Sequence, residues 1–245
     1  MTTELISLKK VEKSFLFGSF QDWSLTDLLK SILGHEKHVV LKDIDLSVRK
    51  GECIGIVGEQ DSGKTLLMKL ISGSSLCTKG LREVNGKVFF LSNSGLQSLH
   101  PELTVKENLY FYGSLSYISK IEISDHFEEI LNFSQLVGSA NRKFKNLSRG
   151  EKLKLILSLA VFVSVDIILI DEALPLQDKD FLDKLQFKIS EFKKAGKAFI
   201  ITATSTNPIK GFCDRFLFMK NGRLVEDLSQ CQTNTLAHNI TSSAD

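Results

Sequence analysis

The chain has no stretch of about 20 mostly apolar residues, the length that a membrane-spanning helix requires. Its most apolar run, from Leu153 to Ile170, is interrupted by Lys154 and Asp166, so no segment is expected to cross a bilayer. Met1 to Glu4 lack the basic start that leads into the apolar core of a signal peptide, and none is expected. Cys53, Cys77, Cys213 and Cys231 lie far apart, with no CxxC pair, and the histidines at 35, 38, 100, 126 and 238 show no metal-ligand spacing. A zinc site or disulfide framework is therefore not expected, and the thiols read as reduced and structural in a cytosolic protein. Charge of either sign is also not in excess. Thirty-one Lys and Arg against 29 Asp and Glu leave a net charge of +2, without the concentrated basic stripe of a nucleic-acid binder. Internal repeats and low-complexity linkers are missing too. No Lys or Arg follows Arg223, which leaves a polar, mildly acidic tail over 231–245.

What remains is the composition of a soluble domain: 245 residues, 42% hydrophobic and 24% charged, enough for one large unit with a smaller subdomain. Leu5 to Val11 and Val39 to Val48 alternate apolar and polar residues, as half-buried strands do. Lys50-Gly51-Glu52 reads as a turn into a short apolar strand, Cys53 to Val57. A helix follows, with Leu66, Leu67, Leu70 and Ile71 on one face and Gly73 as its stop. Val88 to Leu91 is a strand. From about Thr104 to Ser164 the pattern is helical, with Leu153, Ile156, Leu157, Ala160 and Val161 at helical spacing. Strands return at Ile167–Ile170, Ala198–Thr202 and Arg215–Lys220, with a helix through Phe181, Leu185 and Ile189 after the first. Asn221-Gly222 is a hairpin turn. Strands alternating with helices predict a mostly parallel sheet covered by helices, an antiparallel side layer from the opening strands and a helical insertion. The boundaries expected are a single domain over 1–245, its core at about 1–95 and 165–230 and its helical subdomain at about 96–164.

Gly58-Glu59-Gln60-Asp61-Ser62-Gly63-Lys64-Thr65 matches G-x-x-x-x-G-K-[ST] between a predicted strand and a predicted helix, the context that this phosphate-binding loop requires. A chance match in a chain of this length has a probability on the order of one in a hundred. The glycines let successive N–H groups turn inward around a phosphate, and the following helix N-terminus adds partial positive charge. Lys64 is expected to reach the β- and γ-phosphates of ATP, and the Thr65 hydroxyl to ligate Mg²⁺. Asp61 is expected to point outward, since a carboxylate aimed at a triphosphate repels it, and to weaken ATP binding.

Ile167-Ile168-Leu169-Ile170-Asp171-Glu172 is an apolar strand ending in two acids. In that context Asp171 is expected to hold Mg²⁺ and Glu172 to act as general base on the attacking water. Leu147-Ser148-Arg149-Gly150-Glu151 opens a helix about twenty residues earlier, with Ser148 suited to N-cap it.

The three segments, in this order and spacing, resemble the Walker A, signature and Walker B motifs of ABC ATPases. The resemblance implies an α/β P-loop fold with a RecA-like, mostly parallel core sheet. It implies two copies closing head to tail on two ATP molecules, with Ser148 and Gly150 acting in trans on the partner's γ-phosphate. It also implies separate membrane subunits and a place on the cytoplasmic face of the inner membrane. A narrower likeness covers about residues 5 to 228. Ala173-Leu174-Pro175-Leu176-Gln177-Asp178-Lys179-Asp180-Phe181 with Lys184, the Lys13-Ser14-Phe15 opening, and Leu103-Thr104-Val105 with Glu107-Asn108 are similar to exporters of polysaccharides, O-antigens and teichoic acids. On that likeness Phe15 stacks on adenine, and the cargo is a glycan or polyol phosphate.

Departures from the family pattern temper these expectations. Thr204 stands where the family has a switch histidine, nine residues before Cys213. The Q-loop glutamine, a candidate metal ligand, is replaced by Asn93, with Gln97 as the alternative. Arg149 and Glu151 depart from the commoner G-G-Q. Slow hydrolysis is expected; a regulatory module that binds ATP without turnover, and a lipid or lipoprotein exporter, are the alternatives. Trp23, Leu25, Leu28, Leu29, Ile32 and Leu33 approximate one face of a short helix that packs on its own domain or docks on a membrane subunit.

Overall fold

The computed structural model describes residues 4–17, 36–97 and 99–225. The amphipathic segment between Trp23 and Leu33, and the polar tail, lie outside the described residues.

Two sheets organise the chain. Strands β1 (Glu4–Phe17) and β2 (Glu36–Arg49) pair antiparallel, and β4 (Lys79–Val84) adds to the free side of β1, giving the order β2-β1-β4. Register shifts between Leu8 and Val11 and the positive φ of Lys10 and Asp43 mark a bulge that bends this sheet. Strands β3 (Cys53–Val57), β5 (Val88–Ser92), β6 (Ile167–Asp171), β7 (Ala198–Ala203), β8 (Arg215–Lys220) and β9 (Arg223–Val225) form the second sheet. Its order is β5-β6-β7-β3-β8-β9, parallel except for the terminal β8–β9 hairpin.

All of β3, β6 and β7 is buried, as expected of parallel strands covered on both faces. The two faces feed two cores. Ile168 and Ile170 pack with Phe89, Phe199, Ile201, Phe181 and the central helices. Ile167 and Leu169 pack with Ile54, Ile56, Leu67, Leu70 and the antiparallel sheet. The parallel sheet is thus the middle of three layers.

Helix α1 (Lys64–Ser72) follows β3 and ends at Gly73, whose φ of 83° suits glycine. The Arg82 guanidinium caps the last carbonyls, donating to Leu70 O (2.5 Å) and Ile71 O (2.7 Å). Between β5 and β6 the chain is helical: α2 (Asn93–Gln97), α3 (Val105–Leu115), α4 (Lys120–Asp125), α5 (Phe127–Phe133) and α6 (Arg149–Phe162). Thr104 with Glu107, and Ser148 with Glu151, form capping boxes on α3 and α6. Leu153 to Val161 are all buried, so α6 is a central helix wrapped on every side. Its one charge there, Lys154, bonds Gln135 Oε1 (2.6 Å) and Asp178 Oδ2 (2.8 Å). Helix α7 (Lys179–Lys194) closes the layer through Phe181, Leu185 and Ile189.

Phe89 and Tyr112 are buried with ring centroids 5.6 Å apart, whereas Phe111 faces solvent. Cys53, Cys77 and Cys213 are free thiols. The Cys213 sulfur, 3.9 Å away, and burial both push the Cys53 thiol well above its ordinary value.

Candidate functional site

Strands β3, β6 and β7 all end at one edge of the parallel sheet, where open α/β folds place their ligands. The loop from Gly58 to Gly63 leaves β3 there. Sterics dictate its glycines. A Cβ on Gly58 would stand 2.3 Å from Met219 O, and one on Gly63, at φ 108°, 2.9 Å from Leu41 Cδ2. The turn at Asn221-Gly222 braces the loop: Gly222 N–H donates to Ser62 O (3.1 Å), and Gly222 O accepts from Lys42 N–H (2.8 Å). Asp61 sits in the left-handed region at φ 60°, and it, Glu59 and Gln60 are exposed.

Helix α1 begins at Lys64 with no side chain capping its first N–H groups and no acid in its first turn. Such an uncapped N-terminus presents donors and partial positive charge to an anion. The Ser62 hydroxyl beside it is buried and has no hydrogen-bond partner among the described residues. Lys64 is only 4% exposed, and its ammonium donates to Gly58 O and Glu59 O, both at 2.7 Å, while pairing with Glu172 Oε1 at 3.2 Å.

The acids are fixed by a residue that sequence reading missed. Thr202 Oγ1 donates to Asp171 Oδ1 (2.7 Å) and accepts from Glu172 N–H (3.1 Å), so one hydroxyl holds both. Asp171 is buried, whereas the Glu172 side chain is 38% exposed. Glu172 has a φ of 51°, unfavourable for a residue with a Cβ. Its carbonyl accepts from Asn93 Nδ2 (2.8 Å), so side chains hold both of its backbone polar groups. Only strand register brings Thr202 beside Asp171, which is why no local pattern announced it.

Thr204 lies with Glu172, Leu174, Leu176 and Pro208 on the wall of a recess of ≈110 Å³. Ser148 N-caps α6, accepting from Glu151 N–H (3.2 Å). Burial works against the Glu151 charge, but the Ser148 donors and Arg142 outweigh it and hold that carboxyl below its usual value. A Cβ on Gly150 would meet nothing within 4 Å, so nothing among the described residues demands glycine there. Arg149 Nη2 donates to Asn93 Oδ1 (3.0 Å), which links this turn to the Asn93–Glu172 pair. Phe15 stands 44% exposed on β1, opposite His38 of β2, with the Lys13 ammonium 5.1 Å from its ring centroid. The Gln97 side chain lies outside the described residues.

The geometry therefore gathers the Gly58–Thr65 loop, Asn93, Asp171, Glu172, Thr202 and Thr204 at one edge of the sheet. Among the described residues, Arg149 links the Ser148–Gly150 turn to it through Asn93. An uncapped helix N-terminus, an orphaned hydroxyl and a buried ammonium fit a polyphosphate. The exposed Thr65 hydroxyl and the Asp171 carboxylate are hard oxygen donors of the kind that suits Mg²⁺.

Residues 41–175 match the ABC transporter family model. The teichoic acids export ATP-binding protein TagH of Lactococcus lactis is 32% identical over 91% of this chain and 49% of its own. The O-antigen export system ATP-binding protein RfbB of Klebsiella pneumoniae is 32% identical over 80% of this chain and 79% of its own. The chain spans about half the length of several curated relatives, including the RfbB of Myxococcus xanthus at 52%. Two solved structures share the fold. One is an ATP-binding subunit of an ABC transporter, with a TM-score of 0.72, 20% identity and coverage of 94% of this chain and 93% of that one. The other is the dimeric cassette MJ0796 with ADP and Pi, with a TM-score of 0.71, 22% identity and coverage of 89% and 96%.

Proposed function

The chain belongs to the ABC transporter family, and from that premise we propose that it is the ATP-hydrolysing subunit of an exporter, closing in pairs on ATP beneath separate membrane subunits. The observation that carries this reading is the buried Lys64 ammonium at the tip of an uncapped helix, 3.2 Å from the Glu172 carboxylate.

The reaction follows from those residues. The loop N–H groups and the α1 N-terminus cradle the phosphates, and Lys64 neutralises charge at the β- and γ-positions. Phe15 offers a flat apolar face for adenine. Thr65 and Asp171 would hold Mg²⁺, which when bound supplies charge neutralisation to the phosphates. Glu172 turns from Lys64 to the attacking water and takes its proton, while the Thr202 hydroxyl holds Asp171 in place. Ser148 and the open face of Gly150 close on the phosphate held by the partner copy; a surface glycine that nothing among the described residues demands suits that approach. Closure and reopening then move the membrane subunits. The relatives named for teichoic acid and O-antigen export point to a glycan or polyol phosphate as cargo. On this reading the chain works at the cytoplasmic membrane face; among the described residues no helix is long and apolar enough to cross the membrane.

A second reading, a module that grips ATP without turnover, is favoured by Thr204, whose hydroxyl cannot carry a histidine's charge. Sedimentation of the Glu172→Gln chain with and without Mg·ATP tests the pairing. A mass that doubles with ATP supports it, and a monomer at every ATP concentration contradicts it.

A further inference from the structure

Arg149 is the first residue of α6, where a cation opposes the helix dipole instead of stabilising it. Its position must be explained by something other than helix stability. Its guanidinium reaches α2 and donates to Asn93 Oδ1 at 3.0 Å. An arginine has donors only, so this contact decides how the Asn93 amide is turned. With Oδ1 committed to Arg149, Nδ2 faces the Glu172 carbonyl and donates to it at 2.8 Å. The Glu172 backbone is thereby held at φ 51°, and from that backbone its carboxylate reaches the Lys64 ammonium at 3.2 Å.

We propose that Arg149 is a positioning residue: through Asn93 it latches the Glu172 carboxylate onto Lys64, the spot that a nucleotide phosphate must take. The latch has a release. Arg149 lies between Ser148 and Gly150, so whatever docks on that turn pulls on the Asn93 contact. Engagement of the turn then frees Glu172 from Lys64, which makes the carboxylate available to water and Lys64 available to phosphate. The proposal rests on the reading of this site as a nucleotide site.

The test is a calorimetric ADP titration of four full-length chains: wild type, Glu172→Gln, Arg149→Ala and the double variant. Removing the competing carboxylate tightens ADP binding by about threefold, the scale of a partly exposed ion pair. Arg149→Ala tightens it by about twofold, and in the Glu172→Gln background it changes nothing. The sign is diagnostic, because losing a nearby cation by its field alone weakens binding of an anion. Asn93→Ala reproduces Arg149→Ala, and Arg149→Lys, which keeps a donor, restores the wild-type constant. Weaker or unchanged ADP binding in Arg149→Ala, or an effect that persists beside Glu172→Gln, overturns the latch. ADP needs no turnover and no pairing, so the outcomes separate. Coupled constants without ATP hydrolysis keep the latch and remove the motor; hydrolysis with uncoupled constants removes the latch alone. No ADP binding by any of the four chains overturns both.

Discussion

Lys64 Nζ and Glu172 Oε1 stand 3.2 Å apart, so the cation proposed to hold phosphate and the carboxylate proposed as the base neutralise each other. An incoming nucleotide must part them before either can act. Binding and activation of the base are therefore coupled, and the residues that hold Glu172 bear on both.

Thr202 is the first of these. Thr202→Val keeps the shape of the side chain and removes both hydrogen bonds to the acids. Stability falls by about 1–3 kcal/mol in urea unfolding, because Asp171 is left buried with its donor gone. Turnover falls as well, and Thr202→Ser recovers most of both.

Asp61 occupies a left-handed position at φ 60° in the phosphate loop. Asp61→Gly removes a conformational cost of about 1 kcal/mol and a carboxylate beside the triphosphate. The ATP dissociation constant falls several-fold by calorimetry; an unchanged constant contradicts this.

Lys154 and Asp178 make a pH-dependent brace between α6 and the segment that follows β6. The Lys154 ammonium and the Phe181 N–H hold the Asp178 carboxyl below its ordinary value. A depressed carboxyl contributes stability above the unfolded value of about 3.9, lost as pH falls through the folded value. Lys154→Met therefore costs about 2 kcal/mol at pH 7. In thermal unfolding across pH, the gap from wild type stays constant above about pH 4 and narrows below it.

Thr204 shares the wall of its ≈110 Å³ recess with Glu172, so an imidazole placed there lies beside the reacting centre. Thr204→His raises the rate of ATP hydrolysis and leaves ADP affinity unchanged, as steady-state rates and calorimetry would read.

Much of the fold was written locally. The strand Cys53–Val57 and the run Ile167–Ile170 announce themselves as buried parallel strands, and S-R-G-E encodes its own capping box. The phosphate loop needs glycine wherever backbone and side chains crowd it, so its spacing is readable. What escaped was short, exposed or non-local. Strand β4, Lys-Gly-Leu-Arg-Glu-Val, is an exposed edge with little apolar alternation, and the five-residue α2 contains a glycine. The expected helical stretch is broken into separate helices at Ser116 and His126, where the helices end in non-helical or transitional backbone. The role of Thr202 escaped altogether, and Asn93 and Arg149, though noted in the sequence, make their contacts with partners that the sheet order and helix packing bring to them. No spacing rule announces those contacts.

On the proposed mechanism, paired copies hydrolyse ATP with Glu172 as the base. Steady-state Mg·ATP hydrolysis by wild type and Glu172→Gln, over protein concentrations that span pairing, tests it most directly. Turnover per chain is expected to rise with concentration in the wild type and to fall by about 10²–10⁴-fold in the variant. Turnover independent of concentration, or surviving in Glu172→Gln, contradicts it.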